Sequence, residues 1–366
     1  MLIDNITFFN FYNLIYFCMA GLVIVSALSS EIRKDILLQN VLSRYLVLFP
    51  LTSLIFLTGF REYNVGTDTY NYYQALWIRQ PELNFNGEFL FDLIALGLRF
   101  FELNYTYFLF LIAFIFYFFI YKALKNYTDL YKSNLLITFF SCISFFFFLS
   151  SSINIIRQGV SLSILLFAYS LWIRKKNKIQ VLLLIFLSLS FHLTSILPLI
   201  IFVASSLIKF KTKNHILVIA YFISIVLSSM NYGFSDISPL FLEILGEDKR
   251  SGYFLDRDTN YDVGFKSQFV IFNTFFLVVF FYIRSRIMEV DLKVQYNNLI
   301  SYYILSSILM FLAFQLPFSD RWGLFSWYVI PFLISPAFYS PFVNGNIKIH
   351  FVIMLILIYL GFNFYA

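Results

Sequence analysis

The chain has 366 residues, of which 60% are hydrophobic and only 13% charged, with 50 Phe and 26 Tyr. That composition excludes an ordinary soluble domain, where about a quarter of the residues carry charge. The formal charge of +6 is spread over short loops, so it bears on membrane orientation rather than on a nucleic-acid partner.

Apolar segments fall at 6–29, 45–60, 104–121, 133–150, 155–173, 179–206, 215–232, 267–283, 298–316, 323–340 and 347–364. A helix needs ~17–25 such residues to cross about 30 Å of hydrocarbon. The pattern predicts an all-α polytopic membrane protein with about 10–12 transmembrane helices, some of them re-entrant or broken. The first run has no basic leading segment and no small-residue cleavage site, so it reads as a membrane helix and not a removable signal. Cys18 and Cys142 lie in separate apolar segments, against a structural disulfide or a cysteine metal site. There is no glycine-rich phosphate loop, no HExxH, no paired CxxC and no internal repeat of the kind many transporters show. No cofactor or metal is expected.

Lys and Arg in short loops set the orientation. RKKNK, 174–178, reads as cytoplasmic, as do the linkers 30–44 (Arg33, Lys34, Arg44) and 284–297 (Arg284, Arg286, Lys293). Residues 1–366 then form a single integral membrane domain with outer loops at 61–87 and 233–266, and both termini outside. Two places resist simple alternation. The linker 122–132 carries Lys122, Lys125 and Lys132 and reads as cytoplasmic, so the short segment 88–102 does not span or lies at the interface. KFKTK, 209–213, is as basic as RKKNK and only one apolar stretch away. Either 179–206 folds as two half-helices near FHLTS (191–195), or this basic loop lies outside; Pro198 favours a break.

The polar residues collect on this map. Arg61, Glu62 and Asp68 follow the segment ending at Phe60. Asn154, Arg157, Gln158 and Ser161 open the helix 155–173, with Asn154, Arg157 and Ser161 on one face. Ser188, His192 and Ser195 also share a face, and a helix rising from residue 178 puts His192 about 21 Å up, in the outer part of the membrane. Asp320 and Arg321, in PFSDRWG, lie at the outer end of another helix. Four segments thus send polar side chains towards one level, an outward-facing site. Each has a plainer reading beside it. His192 can be a packing histidine, Arg79 and Arg99 snorkelling anchors, Asp320–Arg321 a local ion pair, and the tyrosines of 69–73 an aromatic belt. Glu88 and Asp92, at i and i+4, are either paired carboxylates or solvated residues on an interfacial helix.

FREYNVGTDTYNYY (60–73) resembles the signature of the EpsG family of polysaccharide-synthesis membrane proteins, which includes many Wzy-type O-antigen and capsule polymerases. The likeness continues through NIIRQGVSLSILLFAYSLWIRKKNK (154–178) and LSLSFHLTSILPLII (187–201), and from 215 onward rests on general character and an outer Arg321. The resemblance implies a GT-C-like glycosyltransferase architecture in a bacterial inner (cytoplasmic) membrane, with its active site facing the periplasm. Such an enzyme transfers a growing glycan from undecaprenyl pyrophosphate onto a second lipid-linked repeat unit, without a nucleotide sugar. Its partners would be the undecaprenyl-pyrophosphate-linked oligosaccharide, the lipid bilayer and a chain-length regulator protein, with no nucleic acid.

That chemistry needs an anion site for the leaving pyrophosphate, a base for the acceptor hydroxyl and surfaces for two sugars. Arg61, Arg157 and Arg321 are the anion candidates, since a guanidinium presents a fixed fork of donors to phosphate oxygens. Asn154 and Gln158 flank Arg157 as further substrate contacts. Asp68, in a turn that Gly66 permits, is favoured to meet the acceptor hydroxyl, and His192, with a pKa matched to neutral pH, is the rival base. Tyr70 and Tyr73, with Tyr63 and Tyr72, offer flat faces to sugar rings. Tyr253, Asp256, Arg257, Asp258 and Tyr261 would help select the acceptor. The alternatives are a transporter or flippase of the same lipid-linked oligosaccharide, whose polar groups would sit nearer the midplane, and a membrane acyltransferase using His192 as base.

Overall fold

The computed structural model describes residues 2–33, 36–79, 88–207, 214–234, 263–344 and 349–365. The described residues form helices joined by short turns, with a parallel bridge of extended backbone between Ile3 and Arg61. Among the described residues, five helices are long and apolar enough to cross a membrane, and a sixth crossing is made if a bent helix pair counts as one. The chain is therefore an all-α polytopic membrane protein.

The helices divide into two compact units, Met1–Leu199 with Ile334–Ala366, and Ile200–Leu333. In the first unit, α1 (Asn5–Arg33), α2 (Ile36–Leu46) and α3 (Leu48–Gly59) lead into the turn at 60–68. There follow α4 (Thr69–Tyr73), a π-helical turn (Gln74–Ile78), α5 (Phe89–Phe100) and α6 (Tyr105–Tyr131). Next come α7 (Leu135–Ile143), α8 (Phe146–Ile153), α9 (Ile156–Ile173) and α10 (Lys178–Phe191). The core is α9, packed between α6 and α10. Asparagine caps start three of these helices: Asn104 accepts from Thr106 N at 3.1 Å, Asn134 from Ile137 N at 3.1 Å and Asn177 from Ile179 N at 2.9 Å.

Several boundaries differ from what hydropathy alone predicts. α6 continues through Lys122 and Lys125 to Tyr131, where the linker 122–132 was expected, and ends on Lys132 in the left-handed conformation (φ 50). The basic side chains do not stop it, because long charged residues are good helix formers and extend past the membrane face. The segment 133–150 is not one helix: α7 and α8 meet at a 75° bend. The segment 88–102 contains only the twelve residues of α5, about 18 Å at 1.5 Å per residue, which is too short to span.

One end of this unit gathers the basic segments. Arg44, from α2, and Arg174, at the end of α9, contact Asp129 of α6 at 2.6 and 3.7 Å. Asn40 donates to Lys132 O at 2.5 Å nearby. The stretches 30–44, 122–132 and 174–178, all read as cytoplasmic, thus meet on one carboxylate.

The helix 179–206 is broken where FHLTS predicts. α10 ends at Phe191, His192 is extended (φ −158, ψ 114), a 3-10 turn covers Leu193–Ser195, and α11 runs from Ile196 to Leu207. A continuous helix would ask Pro198 to donate to Thr194 O, and proline has no N–H; in the first turn of a new helix that loss costs nothing.

The second unit contains α12 (Asn214–Ser229), α13 (Ser267–Arg286), α14 (Val290–Leu312), α15 (Ser319–Trp327) and α16 (Ile330–Ile334). α14 packs against α12 and α15. α17 (Ile349–Tyr365) closes the chain in the first unit, against α1 and α7. KFKTK (209–213), most of the loop 233–266 with Tyr253, Asp256, Arg257, Asp258 and Tyr261, and residues 80–87 lie outside the described residues.

Candidate functional site

The signature turn is built by close backbone approach. Gly66 has φ +91, and a Cβ there would lie 2.6 Å from Ile153 O and 2.8 Å from Asn154 Oδ1, so only glycine fits against the α8–α9 junction. Both neighbours of Asp68 are tied to that junction: Thr67 N donates to Asn154 Oδ1 at 2.8 Å, and Thr69 Oγ1 donates to Ile153 O at 2.9 Å. Asp68 itself, half-buried, precedes α4, and its carbonyl accepts from Tyr72 N at 3.0 Å. The carboxylate is thus carried on a turn clamped on both sides.

Arg61 sits behind this turn. It is 1% exposed, with Nη1 donating to Thr58 O at 2.5 Å and Nη2 to Thr69 Oγ1 at 3.4 Å. Burial holds its pKa down to about 10, with the Tyr105 and Tyr117 phenols acting the other way, so it keeps its charge at neutral pH. Its contacts join the C-terminal end of α3 to the first residue of α4. Over it the tyrosines interlock: Tyr63 and Tyr73 ring centres are 4.7 Å apart, and both lie near Tyr105, at 5.0 and 5.3 Å. Tyr70 is 53% exposed and accepts from Gln74 Nε2 at 2.8 Å. Arg99 donates to Leu76 O and Trp77 O at 2.9 and 3.0 Å, capping the π-helical turn, the structural role expected of it.

The charged cluster lies beside the turn. Arg157, in the first turn of α9, places Nη1 3.7 Å from Glu88 Oε2 and Nη2 3.3 Å from Asp92 Oδ1. Its guanidinium lies over the rings of Phe91 and Tyr72, at 4.5 and 5.5 Å, so Tyr72 connects the signature turn to the cluster. The other oxygen of Glu88, Oε1, is 2.8 Å from His192 Nδ1 and accepts from Leu193 N at 2.9 Å. Glu88 therefore bridges the arginine of α9 to the histidine at the break after α10. The side chains are 13–24% exposed, which leaves the cluster reachable without being solvated. Burial raises the Asp92 pKa; Arg157 opposes this and Glu88 adds to it.

Three segments that the sequence sent to one level therefore do meet: the turn at 61–73, the opening of α9 and the break at His192. The family model that matches this chain is that of the EpsG family, over residues 44–366. The chain belongs to the EpsG family. EpsG is a Wzy-like polymerase family, which makes a polysaccharide polymerase-like membrane protein the coarse reading. No curated protein and no solved structure gives a significant match.

The break that carries His192 in this EpsG-family chain is locked by neutral hydroxyls. Ser161 Oγ of α9 lies 2.7 Å from Ser188 O, 2.9 Å from Ser188 Oγ and 2.5 Å from Ser195 Oγ, and Ser188 Oγ donates to Ser161 O at 2.8 Å. All three serines are fully buried. Gly159 lets α9 fold back on α8, since a Cβ there would run into Ser151 O. Gln158, the residue after Arg157, is buried at 5% exposure. Arg321 lies in the second unit, near the start of α15, with its guanidinium 4.5 Å from the Phe318 ring centre.

Glu88 and Asp92 were not among the residues chosen from sequence. Their signal was present: two carboxylates one turn apart on an otherwise apolar helix too short to span. What decides between a solvated pair and a functional one is the arginine and histidine that α9 and α10 bring to them.

Proposed function

We propose that this chain is a glycosyltransferase of the Wzy-like kind with a GT-C-like architecture. It transfers a growing glycan from undecaprenyl pyrophosphate onto the non-reducing end of another lipid-linked repeat unit, at the periplasmic face of a bacterial inner membrane, in O-antigen, capsule or exopolysaccharide synthesis. A chain-length regulator protein is its expected partner. The observation that carries the reading is the Glu88–Arg157–Asp92–His192 cluster beside the clamped turn that presents Asp68 and the tyrosines.

Arg157 binds the pyrophosphate. The N-terminal end of α9 and the guanidinium both favour an anion at this point. Contacts of 3.3 and 3.7 Å are longer than a charge-assisted hydrogen bond, so phosphate oxygens can take them over. Burial raises the pKa of Asp92 and so weakens its hold on the guanidinium, which favours exchange for phosphate oxygens. Asn154 and Arg61 act from behind, holding the turn, while Tyr70 and Tyr73 stack on sugar rings. Asp68 orients the acceptor hydroxyl, and Gln158 completes the proposed contacts of this unit.

The test is polymer length on a gel in a strain whose own copy is deleted, with each variant confirmed at normal membrane levels. Wild type restores a ladder, and Arg157→Ala leaves single repeats. A full ladder from Arg157→Ala removes the site; no lengthening by wild type, in cells or with purified lipid-linked units in detergent, removes the polymerase reading.

A further inference from the structure

We infer that Glu88 is the positioning residue that makes His192 the catalytic base, an inference that rests on the polymerase reading. The geometry supplies the parts. His192 Nδ1 is buried and has no hydrogen-bond partner in the ring orientation seen, while Glu88 Oε1 lies 2.8 Å from it, near enough for a turn of the ring to line up an N–H···O bond. The ring as a whole keeps 14% of its side-chain surface, and almost none of that is at Nδ1. A carboxylate facing a histidine nitrogen holds the proton there, which leaves Nε2 with its lone pair as the acceptor. The carboxylate is itself fixed: Leu193 N–H donates to Oε1 at 2.9 Å, and Arg157 lies at 3.7 Å from Oε2. The backbone at His192 is held in turn by the Ser161–Ser188–Ser195 contacts and by His192 N donating to Ser188 O at 3.1 Å. A histidine needed only for packing would not require a carboxylate from a separate helix on its buried nitrogen.

In the step this arrangement supports, the acceptor hydroxyl gives its proton to His192 Nε2 as its oxygen bonds to the anomeric carbon. The bond from that carbon to the pyrophosphate oxygen breaks, and undecaprenyl pyrophosphate leaves with the electron pair. The imidazolium, with Nδ1–H facing Glu88, then returns its extra proton to water. Glu88 touches neither sugar, and Asp68 is left to orient the acceptor.

Two measurements test this on the full-length chain in detergent. The first is the rate of ladder formation from lipid-linked repeats, with its kcat and KM, for wild type, Glu88→Gln, His192→Ala and the double variant. Among the described residues, the charged group against the ring is Glu88, linked through Arg157 to Asp92 and Tyr72. Glu88→Gln is expected to lower the maximal rate at least ~10-fold with little change in KM. The double variant should be no slower than His192→Ala alone. An undiminished rate in Glu88→Gln, or a double variant well below His192→Ala, overturns the proposal.

The second is NMR of histidine labelled in the ring, with His192 assigned by its loss in His192→Ala. Wild type should show neutral His192 with its proton on Nδ1, and Glu88→Gln should lose that preference. A proton on Nε2 in wild type overturns the proposal whether or not polymer is made. Should wild type show the Nδ1 tautomer and make no polymer, the polymerase reading falls while the Glu88–His192 pairing stands. Where Glu88→Gln does not accumulate, Glu88→Asp serves: it keeps the charge but is one methylene short of the 2.8 Å contact. It should fall between wild type and His192→Ala in rate, and wild-type behaviour from it counts against the proposal.

Discussion

Two polar groups of side chains in this molecule invite comparison, one in each unit. Around Asn273 of α13 everything is neutral and used. Its Nδ2 donates to Ser307 Oγ at 3.0 Å and Ser326 Oγ at 3.3 Å, its Oδ1 accepts from Trp327 Nε1 at 2.8 Å, and its carbonyl accepts from Tyr303 OH at 2.9 Å. Asn273 is fully buried. Around Arg157 the groups are charged, partly open and held at 3.3–3.7 Å. Both regions place polar atoms among apolar helices, where an unmet donor or acceptor is costly. Using up every bond makes a rivet between helices. Leaving charge and reach in hand makes a place where a ligand can exchange for a side chain. Polarity inside an apolar protein is therefore not by itself a sign of function; spare capacity is.

That contrast can be broken by experiment. The largest effect is expected from Arg157→Gln, which should cut ladder formation by ~10²–10³-fold while shifting the melting temperature in detergent by only a few degrees. Asn273→Leu should behave in the opposite way. It leaves the Trp327 N–H without its acceptor and should cost about 2–4 kcal/mol of stability, read as early melting, with polymer made per folded molecule unchanged. If Asn273→Leu abolishes polymer at wild-type melting temperature, the distinction fails.

Ser188→Ala sits between the two. It removes hydroxyl contacts at the break and should cost ~1 kcal/mol of stability, together with a several-fold loss of rate, because His192 is carried on that break. A loss of stability with no loss of rate would separate the serine contacts from catalysis.

The smallest effect is a pH dependence at Asp92. Because burial raises its folded-state pKa, ionising Asp92 opposes folding. Its contribution to stability is lost as pH rises from the ordinary value of 3.8 through the raised one, and is level above that. Asp92→Asn should flatten this part of the curve of melting temperature against pH. An unchanged slope would place Asp92 in water.

Much of the scaffold was legible without coordinates. Runs of Phe, Leu and Ile long enough to span lipid leave few alternatives to helices, since backbone groups in hydrocarbon must bond within their own segment. The break at FHLTS was one of two alternatives that the flanking basic loops left open, and Pro198 favoured it. The limited length of 88–102 followed from the lysines after it. The 75° bend between α7 and α8 was not legible, because 133–150 contains neither proline nor glycine to mark it. The helical course of 122–131 was hidden for a related reason: hydropathy reports where lipid ends, not where hydrogen bonding does.

The site divides along the same line. Composition and order by themselves determined that the chain lives in a membrane, and spacing brought Asn154, Arg157 and Ser161 to one helix face. Only the tertiary structure decided what each meets. Asn154 turns to the Thr67 N–H, Arg157 to two carboxylates, and Ser161 to two serines. Arg61, which reads like Arg157 in sequence, lies at 1% exposure against Thr58 and Thr69. Glu88, ambiguous in sequence, becomes the link between Arg157 and His192. The physical reason is one of range. Hydrophobic transfer and helix periodicity act within a segment, so a single strand of sequence records them. The partner of a charge is chosen by packing between segments a hundred residues apart, and that choice exists only once the helices have come together.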